Sequence, residues 1–84
     1  MQKVQIYTTQ SCPYCHAAKS LLAEKGVTYE EVNAEDPDVR TQMVERANGR
    51  RTVPQIFVGE THVGGYDDMA ALERRGQLDP LLAS

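Results

Sequence analysis

The chain holds two cysteines, Cys12 and Cys15, separated by Pro13 and Tyr14. A C-x-x-C where a strand gives way to a helix, in a small chain, is the arrangement of a thiol–disulfide redox site. The flanking residues supply that junction. Val4-Gln5-Ile6-Tyr7 reads as an apolar strand, and a helical pattern follows the cysteines. Cys12 falls at the expected helix mouth, where free backbone N–H groups and the positive end of the helix dipole favour a thiolate. The thiolate is the nucleophilic form, so the placement itself would activate the sulfur. Cys15 follows one turn later on the same face, within reach of a Cys12–Cys15 disulfide.

Composition bounds the rest. The 84 residues predict a single domain, 1–84, near the small end of what folds unaided. With no further cysteines to staple it, the core must come from the 40% hydrophobic content. A net charge of −3, with acids and bases interspersed, argues against a nucleic-acid partner. Met1-Gln2-Lys3 runs straight into the first strand, so no signal peptide is expected. No apolar run approaches the roughly 20 residues that a membrane helix needs. A soluble cytoplasmic protein is the expectation, with no membrane association. In that compartment glutathione keeps thiols reduced, and a C-x-x-C serves catalysis more readily than structure.

The elements that must position the cysteines follow in order. Val4–Thr8 is the first strand. Ser11 or Cys12 caps a helix with Pro13 in its first turn, where a missing N–H costs nothing. Ala18, Leu21 and Leu22 form its buried stripe, it runs to about Lys25, and Gly26 stops it. The stretch 27–33 alternates and is read as a strand. Asp36-Pro37 opens a second helix, with Val39, Met43 and Ala47 at helical spacing, and Asn48-Gly49 closes it. Pro54–Val58 is a third strand. Gly59-Glu60 turns the chain into a short fourth strand, Thr61–Val63. Asp67 or Asp68 is expected to cap a third helix ending near Gly76, and 78–82 adds a last helical turn. The order β-α-β-α-β-β-α implies an α/β fold: a right-handed crossover between two parallel strands, then an antiparallel hairpin. Together they make a four-stranded mixed sheet flanked by helices on both faces.

These residues resemble the small bacterial dithiol glutaredoxins of the thioredoxin superfamily, over essentially the whole length. The likeness rests on Cys12-Pro13-Tyr14-Cys15, Thr52-Val53-Pro54 and Gly64-Gly65-Tyr66-Asp67-Asp68, in that order and spacing. It implies a thioredoxin-like fold and a cis peptide before Pro54. It also implies a glutathione-dependent oxidoreductase acting on protein–glutathione mixed disulfides and protein disulfides. Glutathione would be its co-substrate, with no tightly bound cofactor and no metal. The resemblance assigns catalysis to Cys12 and Cys15. It assigns glutathione binding to Tyr14, Arg51, Thr52, Val53, Pro54, Gly65, Tyr66, Asp67 and Asp68. Arg51 is chosen over Arg50 for the glycyl carboxylate, and Asp67 or Asp68 would meet the ammonium group. A monomer is expected. Many family members carry a lysine a few residues before the first cysteine. Here the stretch is Thr8-Thr9-Gln10-Ser11, so thiolate stabilisation must rest more on the helix terminus and hydrogen bonds.

Other readings are weaker. Cys12 to His16 also spells the C-x-x-C-H of haem attachment, but that implies export and a haem crevice, which a β-α-β frame does not leave. His16 reads as an ordinary helix-surface histidine. His16 and His62 are badly spaced for a zinc site. Within the family the alternatives are an iron–sulfur cluster carrier or an electron donor reduced by thioredoxin reductase. Pro13 disfavours the first, and the glutathione-site residues disfavour the second.

Overall fold

A computed structural model describes residues 2–83. Its elements are β1 (Val4–Thr8), α1 (Pro13–Glu24), β2 (Tyr29–Asn33), α2 (Pro37–Arg46), β3 (Gln55–Val58), β4 (Thr61–Gly64), α3 (Tyr66–Arg74) and α4 (Leu78–Ala83). The four strands form one sheet in the order β2-β1-β3-β4. β1 pairs parallel to β2 and antiparallel to β3, and β3 pairs antiparallel to β4. The mixed sheet read from the sequence is the one observed, and the last helical turn forms as α4.

Strand alternation divides the core between the two faces of the sheet. Val4 and Ile6 of β1 pack with Ala18 and Leu22 of α1, Met69 of α3, and Leu78 and Leu82 of α4. Tyr7, which follows Ile6 and points to the opposite face, packs the other way with Phe57, Met43 and Ala47, so α2 covers the second face. β1 is thus central and buried, and its C-terminal end delivers the chain to Cys12.

Local signals set most boundaries. Asp36 caps α2, its carboxylate accepting from the N–H of Asp38 at 2.8 Å and of Val39 at 3.3 Å. α1 ends at Gly26, whose φ of 69° suits a residue without Cβ. The Gly26 N–H reaches Ala23 O at 3.0 Å and the Val27 N–H reaches Leu22 O at 3.1 Å. This closure explains one departure from expectation: Val27 serves the helix end, so β2 begins only at Tyr29. A second departure lies at α3. Its cap is Gly65, in extended conformation, and not Asp67 or Asp68. Asp68 lies in the first turn and reaches back, its carboxylate accepting from the Gly65 N–H at 2.9 Å. Among the described residues no helix is long and apolar enough to cross a membrane.

Candidate active site

Cys12 is the N-cap of α1. Pro13 has no N–H to offer, so the first amide that can turn onto the sulfur comes later in the turn: the N–H of Cys15 donates to Cys12 Sγ at 3.1 Å. Hydrogen bonds to a charged acceptor are roughly twice as strong as those to a neutral one, so this amide is placed to hold a thiolate. When protonated, the Cys12 thiol donates to Val53 O at 3.7 Å. Both cysteines are free thiols. They differ in access: Cys12 is 8% exposed and Cys15 is 0% exposed. Burial pushes the Cys15 thiol from 9.0 up to about 12, and its hydrogen bond to Cys12 is the next cause. The Cys12 sulfur keeps slight access and has a donor aimed at it, whereas the Cys15 thiol is fully enclosed and held neutral.

A cleft of about 280 Å³ adjoins Cys12 through Val53 and is lined by Tyr14, Arg50, Thr52, Val53, Pro54, Gly65, Tyr66, Asp67 and Asp68. Three segments distant in sequence build it: the start of α1, the loop before β3 and the start of α3. The Val53–Pro54 peptide is cis. Tyr14, 60% exposed, and Tyr66 stack with ring centroids 6.3 Å apart. The α3 N-terminus brings free amides and a positive dipole end to the opposite wall. Of the residues assigned to glutathione binding by resemblance, all but Arg51 line this cleft.

The two adjacent arginines part company. Arg50 enters the cleft and pairs with Asp68, Nη1 to Oδ2, at 3.0 Å. Arg51 lies in a separate groove with Pro37, Arg40, Thr41, Val44 and Glu45. Its carbonyl oxygen accepts from Arg40 at 2.8 Å. Asp68 is held below the usual carboxylate range, first by the Gly65 N–H and then by Arg50. The Asp67 side chain makes no hydrogen bond or ion pair among the described residues.

Behind the loop lies a support that sequence reasoning missed. Gln55 is 0% exposed, and its Nε2 donates to Thr52 O at 3.0 Å and to Thr52 Oγ1 at 3.3 Å. A carbonyl only accepts, which fixes the orientation of the Gln55 amide. Gln55 Oε1 then faces His62 Nε2 at 2.6 Å, so that nitrogen carries the hydrogen. Burial moves His62 below its usual 6.5, with Arg50 the next cause. His62 in turn stacks on Phe57 at 4.9 Å. The legible signal was a lone amide inside the apolar run 54–58.

Comparison with known proteins agrees with this geometry. The Glutaredoxin family model matches residues 4–63. The chain belongs to the glutaredoxin family. It is 49% identical to Glutaredoxin 3 of Escherichia coli (strain K12) over 82 residues, covering 98% of the chain and 99% of that protein. It is 53% identical to the glutaredoxin of Pseudomonas aeruginosa, with both chains covered in full. Among solved structures, the glutaredoxin of Brucella melitensis superposes with a TM-score of 0.86 at 54% identity, covering 98% of this chain and 89% of that one. A buckwheat glutaredoxin–glutathione complex superposes at 0.89 and 27% identity, covering 98% and 77%. As a member of this family the chain is a glutathione-dependent thiol–disulfide oxidoreductase with a thioredoxin-like fold, and glutathione is its co-substrate.

Proposed function

We propose that Cys12 is the attacking sulfur and that the adjoining cleft seats the glutathione moiety of the substrate. The observation that carries this reading is the approach of Cys12 Sγ to Val53 O, which joins the reactive sulfur to the cleft wall. Val53 offers main-chain pairing to an extended peptide, with Thr52 and Pro54 shaping the loop around it. Tyr14 and Tyr66 flank the opening. The γ-glutamyl end lies at Gly65 and the α3 amides, its ammonium group on Asp67. Asp68 is already engaged by Gly65 and Arg50. The assignment of the glycyl carboxylate moves from Arg51 to Arg50, because Arg50 lines the cleft and a guanidinium binds a carboxylate bidentately.

The chemistry is two thiolate exchanges. The Cys12 thiolate attacks the glutathione sulfur of a protein–glutathione disulfide. A Cys12–glutathione bond forms, and the protein thiolate leaves with the electron pair and takes a proton. A second glutathione thiolate then attacks the adduct, releasing oxidised glutathione and restoring Cys12. With a protein disulfide, Cys12 first bonds the substrate. Cys15 then displaces it, forming Cys12–Cys15 while the substrate leaves reduced. Rates follow thiolate fraction and leaving-group acidity. The chain 1–84 acts as one monomeric domain on glutathionylated or disulfide-bonded proteins of the cytoplasm, where glutathione is abundant and reducing.

The test is the Cys12→Ser and Cys15→Ser pair, assayed with a glutathionylated peptide and with a protein disulfide. Cys12→Ser loses both activities. Cys15→Ser keeps deglutathionylation and loses reduction of the protein disulfide. Loss of both in a folded Cys15→Ser protein would overturn the division of roles.

A further inference from the structure

Sharing no lining residue with the glutathione cleft is a second polar groove of about 380 Å³, lined by Thr8, Thr9, His16, Lys19, Glu31 and Glu35 among others. Its centre is a hydrogen-bonded cluster. Lys19 Nζ meets Glu31 Oε2 at 3.0 Å, and the same oxygen accepts from Thr8 Oγ1 at 2.7 Å. Lys19 is four residues beyond Cys15, which on a helix places the two side chains on one face. The Lys19 side chain is 23% exposed. None of these groups touches the cleft described above.

The resolving step needs what the fold withholds. Cys15 must lose its proton to attack, yet it is 0% exposed. We propose that Lys19 is an electrostatic positioning residue for the Cys15 step, and that Glu31 sets how much of its charge reaches the buried sulfur. The inference rests on the reading of Cys15 as the resolving cysteine. Several groups face Cys15 from the packed elements. Lys19 comes from α1, Cys12 from its N-cap and the Thr9 backbone from just beyond β1. Glu31 of β2 acts through Lys19, and His16 of α1 faces Glu31. Of these, the hydrogen bond and charge of Cys12 hold Cys15 neutral, whereas Lys19 and the Thr9 backbone favour its thiolate. Once Cys12 is bonded to substrate its opposing charge is gone and Lys19 remains. The timing is then built in: Cys15 ionises more readily after Cys12 has reacted. In the step itself the Cys15 proton passes to solvent, the Cys15–Cys12 bond forms, and the bond from Cys12 to the substrate sulfur breaks. The substrate leaves as a thiolate with both electrons.

The experiment mixes reduced protein with one equivalent of dithiobis-nitrobenzoate, whose leaving thiolate is coloured, and follows the release in a stopped-flow instrument across pH. The first phase is attack by Cys12. The second is displacement by Cys15. Lowering the pKa of an attacking thiol by a unit raises its thiolate fraction tenfold but cuts its nucleophilicity, a net gain of about threefold. Lys19→Met is therefore expected to slow the second phase, by about threefold for a one-unit change in the Cys15 pKa, and to move its rise to higher pH. Glu31→Gln is expected to speed it and move the rise lower. Lys19→Arg is expected to restore the wild-type rate. The first phase reports whether each variant is folded and competent. A second phase indifferent to all three variants, or slowed equally by Lys19→Met and Glu31→Gln, would overturn the proposal. A second phase surviving in Cys15→Ser would instead overturn the assignment of Cys15 itself.

Discussion

Replacing Arg50 with alanine, beside Arg51→Ala, tests the proposed seating of glutathione in the cleft. Arg50 lines the cleft and is oriented by Asp68 at 3.0 Å, so little rotamer freedom is left to lose when a carboxylate arrives. A hydrogen bond to a charged group contributes about 1.5–3 kcal/mol when desolvated. The Arg50 side chain is 46% exposed, and exposed pairs are worth about 1 kcal/mol or less, so the lower figure governs. One kilocalorie corresponds to about a fivefold change in affinity at 25 °C. Arg50→Ala is thus expected to raise the KM for a glutathionylated peptide about fivefold. Its kcat should hardly change, because the Cys15 N–H contact to Cys12 Sγ is untouched. Arg51→Ala keeps the carbonyl that Arg40 bonds and removes nothing from the cleft, so KM should stay within about twofold. Steady-state kinetics at two ionic strengths reads both, and the Arg50 effect should shrink at high salt. An Arg51→Ala effect equal to or larger than that of Arg50→Ala would refute the placement of the carboxylate. So would an Arg50→Ala effect confined to kcat.

Gln55→Leu keeps the volume but strips Thr52 O and His62 of their partner, a loss of about 1–3 kcal/mol. Thermal denaturation should show a Tm lowered by about 4–8 °C per kcal/mol, and KM should rise with it; an unchanged Tm would deny the network any weight. Gly26→Ala forces a side chain to φ 69° where no contact compensates, costing about 1 kcal/mol or more in denaturant unfolding, with glutathione affinity unaltered. Asp68 is more acidic folded than its ordinary 3.8, chiefly through the Gly65 N–H. Its stabilisation is therefore present above 3.8 and disappears as pH falls through the lower folded value. Asp68→Asn should be less stable than wild type at pH 7, and the gap should close in acid; a gap constant with pH would show that the carboxylate charge is not the cause.

The sequence by itself determined what short-range chemistry controls. Cys12, Pro13 and Cys15 announce a reactive helix start because a thiol, a residue without N–H and a second thiol one turn on act within a single turn of backbone. Gly26, Asp36-Pro37 and Asn48-Gly49 punctuate helices by their own dihedral preferences, and the expected sheet followed from strands spaced between them. Where two local signals competed, the strand lost: Val27 was drawn into the end of α1, and β2 started two residues late.

Tertiary structure decided every choice between neighbours. Arg50 and Arg51 are chemically alike and adjacent. Only the path of the loop between α2 and β3 sends one to the cleft and the other to the α2 groove. Asp67 and Asp68 follow the same logic on a helix: the residue three beyond the cap can reach back to the Gly65 N–H, and its neighbour cannot. Gln55 under the loop, and Lys19 joined to Glu31 beside the buried thiol, bring together residues 3, 7 and 12 positions apart across different elements. No local pattern in the sequence encodes such meetings: the first needs the loop before β3 and the β3–β4 pairing in place, and the second needs β2 packed beside α1.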